Sequence, residues 1–408
     1  MKQIQEKNQG IVTVLSFALI PLTGFATDVY LPSLPGMASD LHVSSGAIQG
    51  TLMVFLISAG LSQLFVGSLL DSFGRYRLSS LALLVFSLAS IAIALSHSIY
   101  MLYAMRAVQG ITVAFIVVAK RAYFLDTFKG DKLKHYTSLF SIIWAVAPIV
   151  APFIGGYLQE AFGWQSNFYF LGAFTLAILA LDLVFGGESL KEFRPFRARP
   201  IFNIYGSMIK TADYAMGLIL IALSYSMLMV FGMTSPFIIE HVYHYSPVVT
   251  GYGALFSGAS LMLGGIISKS IIDRPLDKKI PAAIAAQMVF AGGMIAVSYF
   301  YASNVYTLML FVILLNITAG FIFNNIFSYC LGRFSKNAGI LSGFTGGSLF
   351  VLTSFFSYGA VNLLSIKTQT LLGSAYLLFV VLNIIAFSLF RKFRYSAIER
   401  EAALAEAA

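Results

Sequence analysis

The sequence predicts an all-α membrane protein, with twelve transmembrane helices arranged as two pseudo-symmetric six-helix bundles. Three observations lead there. The 408 residues are 58% hydrophobic and 11% charged, against roughly 45–50% and about 25% in soluble domains. Apolar runs of about 20 residues, the length that crosses a bilayer at a rise of about 1.5 Å per residue, recur from end to end. The lysines and arginines gather on one side of those runs, as the positive-inside rule requires. The composition also excludes a disordered chain. The single cysteine, Cys330, excludes a disulfide framework and a cysteine-built metal site.

The runs fall at 11–33, 47–69, 78–96, 99–124, 138–160 and 167–186, and then at 213–240, 248–268, 281–301, 304–330, 339–362 and 369–390. The first reads as a span and not as a leader peptide, because it lacks a small-residue cleavage site and runs on into Tyr30-Leu31-Pro32. With the N-terminus inside, 22 of the 26 lysines and arginines lie in predicted inner loops and tails. Lys367 alone is outside, and Arg106, Lys120 and Arg121 fall within span four. Both termini are therefore expected on the cytoplasmic side of the membrane. The net charge of +9 reads as a topology signal and not as a nucleic-acid surface.

The longest polar interruption, 187–212, divides the chain almost at its middle. The expected organisation is a six-helix bundle over 1–186, a cytoplasmic linker over 187–212, a second bundle over 213–391 and a cytoplasmic tail over 392–408. The halves echo each other. Span two ends in Gly67-Ser68-Leu69-Leu70-Asp71, and span eight in Gly264-Gly265-Ile266-Ile267 followed by Asp273 and Arg274. Internal repeats of this kind are the plan of secondary transporters, whose site lies between the repeats at the midplane.

Ionisable residues inside spans are costly and usually mark a pathway. Asp28 is the acid well inside the first five spans. A carboxyl held away from water loses the hydration that stabilises its charge, so it can take and release a proton near neutral pH; the alternative is a helix-end cap. Arg106 in span four keeps its charge when buried. It can bias a neighbouring carboxyl or hold a backbone and water network. Gln109 lies near it, and Gly110 permits close helix contact. Lys120, fourteen residues beyond Arg106, returns to nearly the same helix face. With Arg121 it either makes the cavity attractive to an anion or snorkels to the headgroups.

The loop after span two, with Gly67, Asp71, Gly74, Arg75 and Arg77, reads as a conformational gate. Its glycines allow close approach, Asp71 caps the next helix, and the arginines clip to acids at other inner helix ends. Pro148, Pro152, Gly155 and Gly156 in span five read as a bending element or a packing notch. Tyr225, Phe237, Asn316, Asn324 and Asn325 suit ligand contact or packing. No histidine has metal-ligand spacing, and no nucleotide-binding or nucleophile motif occurs. The sequence therefore predicts no enzyme, no metal and no cofactor.

These motifs carry a resemblance. Gly67 to Arg77 (GSLLDSFGRYR) resembles the loop 2–3 signature of the major facilitator superfamily. Arg106-Ala107-Val108-Gln109-Gly110 resembles the span-four motif of its proton-coupled members, and the span-five Pro/Gly run that of its drug:proton antiporters. Thr27-Asp28-Val29-Tyr30-Leu31-Pro32, Arg121-Ala122 with Asp126, and Ser235-Pro236-Phe237-Ile238 resemble the bicyclomycin-resistance (Bcr/CflA) subfamily. The resemblance implies that Asp28 exchanges the proton with Arg106 as its basic partner, and that Asp71 and its arginines lock one state. It also implies that Tyr30, Gln109 and parts of spans seven and ten line the drug cavity, and that the protein is a monomer. Ser72, Asn324, Ile20 and the added base Lys120 depart from the pattern and favour a neutral or anionic substrate.

The expected function is a proton-coupled antiporter exporting a small organic molecule by alternating access. One alternative is a carrier of an anionic metabolite or citrate-type siderophore, in either direction. A second is a transporter-like receptor without flux.

Overall fold

A computed structural model describes residues 3–193, 195, 198–301, 303–334 and 338–406. Four basic residues used above for orientation, Lys2, Arg194, Arg197 and Lys336, lie outside the described residues. The described chain is helical, with one isolated bridge between Gln3 and Glu188.

The first span is built in pieces, α1 (Gln9–Leu19), α2 (Leu22–Asp28) and α3 (Leu34–Asp40). Pro21 interrupts it because proline has no N–H and its ring displaces the carbonyl one turn back. Tyr30 and a 3-10 turn at Leu31–Ser33 make the second break. The helices α4 (Ser45–Phe73), α5 (Arg75–Ala94), α6 (Ile99–Thr127), α7 (Gly130–Phe162) and α8 (Gln165–Phe185) follow. The helix α9 (Ala198–Lys210) lies in the linker. Then come α10 (Ala212–Phe237), α11 (Pro247–Ser270), α12 (Leu276–Phe300), α13 (Val305–Gly332), α14 (Ala338–Leu364) and α15 (Gln369–Glu406). Among the described residues, eleven helical stretches are long and apolar enough to cross a membrane. The helix α7, with Pro148 and Pro152 inside it, is a further long one at the predicted fifth span. Apolar side chains such as Val14, Leu88, Leu183, Phe355 and Leu363 are exposed on the helix surfaces, as lipid-facing positions are.

The boundaries have local causes. The Ser44 hydroxyl accepts from the Ala47 amide at the start of α4. Asn304 and Thr307 form a reciprocal capping box at α13. Between α4 and α5 the chain reverses at Gly74, whose φ of 98° suits glycine. The last helix runs sixteen residues past its predicted end at 390, because Arg391 to Glu406 is rich in alanine, glutamate and arginine, all good helix formers.

The chain forms two compact units, one of Met1–Arg197 with Ser235–Leu255, the other of Ala198–Thr234 with Phe256–Ala408. Each uses glycine to bring its second and fourth spans together. In the first, a Cβ at Gly110 would run into the Phe55 carbonyl and the Ala59 amide, so α6 lies directly on α4. In the second, Gly320 meets the Leu261 carbonyl and Gly264 the Ile317 carbonyl, so α13 lies directly on α11. Gly67 makes no such approach, since a Cβ there would meet nothing within 4 Å.

The structure corrects the expectation that Asp71 caps the helix after it. Asp71 belongs to the last turn of α4 and pairs with Arg75 at 2.9 Å. The cap comes from the linker. Glu188 is buried, and its two carboxylate oxygens accept from the Arg75 amide at 3.2 Å and the Tyr76 amide at 3.1 Å. A carboxylate at a helix N-terminus satisfies orphan amides and the positive end of the dipole. Glu188→Ala is expected to cost about 1 kcal/mol, read as a lower unfolding midpoint of the purified protein.

Candidate functional site

The site centres on the break in the first span. Asp28 ends α2 at 2% exposure, and neither carboxyl oxygen has a hydrogen-bond partner. The surroundings are small and apolar. A Cβ at Gly24, one turn back, would stand 2.5 Å from the Ala147 Cβ on α7 and 3.8 Å from Asp28 Oδ2. One residue beyond Asp28, the Val29 carbonyl lies directly on Gly155 of α7. Gly155 therefore sets how closely α7 can approach the carboxyl. On its other side α7 meets residues 247–252 of the same unit. Gly156 faces the Pro247 carbonyl, Gly251 faces that of Pro152, and the Tyr157 and Tyr252 hydroxyls are 3.1 Å apart.

Arg106 is fully buried in α6. Its guanidinium donates to the Ala26 carbonyl at 3.0 Å and to Gln109 Oε1 at 2.8 Å. Gln109 passes the link to Ser90 Oγ at 2.7 Å. The guanidinium carbon sits 4.6 Å from the Tyr30 ring centroid and 4.2 Å from that of Phe55, a cation–π arrangement suited to a charge held away from water. Arg106 makes no ion pair with Asp28; its hydrogen bonds go to a backbone carbonyl and a side chain. Its Nε and Nη2 have no hydrogen-bond partner. Tyr30 is buried, with its hydroxyl 3.1 Å from Thr51 Oγ1. One unit thus buries a carboxyl and a guanidinium that both keep unsatisfied atoms. Natural interiors rarely leave such groups without a reason.

A charge cluster forms where α4, α5, α6 and the linker meet. Arg75 bridges Asp71 and Asp126, also donates to the Ala122 carbonyl at 3.0 Å, and Ser189 Oγ donates to Asp126 at 2.8 Å. Arg77 is exposed and stands outside the cluster. Arg75→Ala is expected to cost about 2 kcal/mol from its charged hydrogen bonds, checked by denaturant unfolding of the purified protein.

Lys120 is not a free base. It is 6% exposed and pairs with Asp182 of α8 at 2.7 Å. Its neighbour Arg121 leaves its Nε without a hydrogen-bond partner. In the second unit the predicted ligand contacts are largely engaged with their own unit. Asn324 donates to the Gly265 carbonyl at 3.0 Å and to Ser268 Oγ at 3.2 Å. Asn325 donates to the Phe321 carbonyl at 2.8 Å, and Asn316 to Ser257 Oγ at 2.7 Å. Tyr225 is buried with its ring 5.9 Å from Phe323. Phe237 belongs to the first unit, and its ring lies 5.8 Å from that of His241. Phe237 is followed by a π-helical turn, Ile238–Val242, a local widening often found at functional sites.

Sequence reasoning gave Asp182 no partner, and Glu188 and Asp213 no role. Asp182 and Glu188 are described above. Asp213, at the start of α10, accepts from the Tyr329 hydroxyl at 2.6 Å and from Arg333 at 2.9 Å. Asp182 carried a usable signal, since an acid inside an apolar run demands a partner. Among the described residues no group of acids, histidines and cysteines could hold a metal.

The model of the Major Facilitator Superfamily matches residues 17–358. The chain belongs to the Major Facilitator Superfamily. This MFS transporter is 29% identical over 351 residues to the uncharacterised MFS-type transporter YdgK of Bacillus subtilis (strain 168), covering 81% of this chain and 83% of that one. It is 36% identical over 181 residues to a bicyclomycin resistance protein homolog of Haemophilus influenzae, covering 44% and 45% of the two chains. Among solved structures, a bacterial homolog of the human lysosomal transporter Spinster, inward-facing and occupied, superposes with a TM-score of 0.71 at 14% identity, covering 96% of this chain and 98% of that one. That likeness concerns the fold. The name of the Haemophilus relative agrees with the bicyclomycin-resistance resemblance.

Proposed function

We propose that this MFS transporter is a proton-coupled antiporter that exports a small organic molecule across a bacterial inner membrane, with both termini cytoplasmic and the monomer as the working unit. One observation carries the proposal: Asp28 is buried at a helix break with neither oxygen paired. A buried carboxyl with no counter-ion and no hydrogen bond can exchange a proton as its surroundings change, and the buried Arg106 on the neighbouring helix is its proposed basic partner. Protonation and substrate then bias the same two-state equilibrium, which is sufficient for exchange. Tyr30, Gln109, Arg121, Tyr225, Phe237, Asn324 and Asn325 are the proposed cavity residues. The Arg75 cluster, with Asp71, Gly74 and Asp126, is the proposed gate, and the Pro148, Pro152, Gly155 and Gly156 seam of α7 is the proposed bending element.

The pairing of Lys120 with Asp182 bears on the cargo. An anion would have to displace a carboxylate already 2.7 Å from that ammonium, so the case for an anionic metabolite loses the base that favoured it. The name of the Haemophilus relative suggests the first probe. In inside-out vesicles energised to an acidic interior, bicyclomycin is expected to enter the vesicles and to dissipate the pH gradient in proportion. A gradient left unchanged by bicyclomycin and by a panel of cationic, neutral and anionic drugs would contradict proton-coupled drug export.

A further inference from the structure

The linker helix α9 has three different sides. Tyr205, at 7% exposure, and Met208, fully buried, face the protein. Phe202 and Ile209, seven residues apart and so on one face, are 55% and 58% exposed. Asn203, Ser207 and Lys210 are exposed on the face beside them. The depth of the helix is set by what it packs on. The Tyr205 ring stacks 4.7 Å from that of Phe344 in α14, and Phe344 lies 6.3 Å from the Tyr214 ring of α10. The Tyr214 hydroxyl is 2.8 Å from Thr345 Oγ1 of α14. Tyr214 is in the first turn of α10 and Phe344 in the second turn of α14. The helix α9 therefore lies level with the turns at which both spans enter the membrane.

An exposed apolar face beside a polar, basic one is the pattern of a helix that lies in the plane of a membrane interface. The charges select the lipid. From Phe193 to Ala212 the chain carries Arg194, Arg197, Arg199 and Lys210 and no acid. Basic residues at a membrane surface draw anionic headgroups. We propose that α9 is an interfacial helix that docks on anionic lipids of the cytoplasmic leaflet, with Phe202 and Ile209 set among the acyl chains and the basic residues of the linker on lipid phosphates. Nothing in this placement depends on proton coupling. Its consequence is mechanical. Tyr205 links the lipid-seated helix to Phe344, so anionic lipid helps to fix the depth at which α10 and α14 enter the bilayer.

The test places a nitroxide label on the full chain at Phe202→Cys, Ile209→Cys, Asn203→Cys or Ser207→Cys, one at a time. The native Cys330 is buried, so unaltered protein serves as the labelling blank. The protein is reconstituted in phosphatidylcholine vesicles with and without phosphatidylglycerol, with a water-soluble nickel chelate on both faces. With phosphatidylglycerol, labels at 202 and 209 are expected to be several-fold more accessible to oxygen, which concentrates among acyl chains, than to the chelate. Labels at 203 and 207 are expected to show the reverse. Without phosphatidylglycerol the labels at 202 and 209 are expected to shift toward the chelate. Chelate access at 202 and 209 equal to that at 203 and 207 would overturn the proposal. So would accessibility that ignores phosphatidylglycerol, or dipolar broadening between labels at 202 or 209, which would show a second copy of the chain covering the face.

Discussion

Asp182→Asn is expected to destabilise the protein by about 3–5 kcal/mol, the usual consequence of stranding a buried charge. The substitution leaves the Lys120 ammonium 6% exposed with no counter-ion. Removing both charges is expected to behave differently. Lys120→Met with Asp182→Val replaces the pair by apolar groups of comparable size, and such replacements are often neutral or stabilising. The comparison is read from unfolding of the purified proteins in detergent. A double variant as unstable as Asp182→Asn would show that shape, not charge, governs this contact.

The second large effect concerns Gly155. A Cβ there would run into the Val29 carbonyl, which is backbone and cannot swing aside. Gly155→Val must push α7 away from the residue next to Asp28. Overpacking of this kind costs about 1–3 kcal/mol. The functional loss is expected to exceed the stability loss, because displacements of about 1 Å at a reacting group can cost about 100-fold in rate. Transport is therefore expected to fall by about two orders of magnitude in protein that still inserts and purifies. Gly264→Val in the second unit, where α11 meets the Ile317 carbonyl, is the control. It carries a similar clash far along the chain from the carboxyl.

The architecture was legible because lipid imposes a coarse rule. Apolar runs of spanning length and the one-sided placement of Lys and Arg gave the order and number of spans. The helix breaks at Pro21 and Gly74 follow from single-residue chemistry. The interior polar connections were harder to see. Lys120 and Asp182 are 62 positions apart on different spans. Nothing in the local pattern of either states which partner it meets, although the cost of an unpaired charge in a bilayer requires one. Glu188 was hidden for another reason. It lies in the polar linker, where an acid is unremarkable, and only the fold brings it to the bare amides of Arg75 and Tyr76. Asp28 stood out because an acid within an apolar run is rare. Its lack of a partner emerged only with Arg106 turned to the Ala26 carbonyl and Gln109.

The central claim is that the charge state of Asp28 couples proton movement to substrate movement. The most direct measurement compares wild type with Asp28→Asn in reconstituted vesicles under two conditions, accumulation of a labelled drug that the wild type transports against its gradient driven by a pH difference, and exchange of labelled for unlabelled drug with no pH difference. The variant is expected to lose accumulation and retain exchange, since asparagine preserves the shape of a protonated carboxyl but cannot release a proton. Accumulation at the wild-type level in Asp28→Asn would contradict the account.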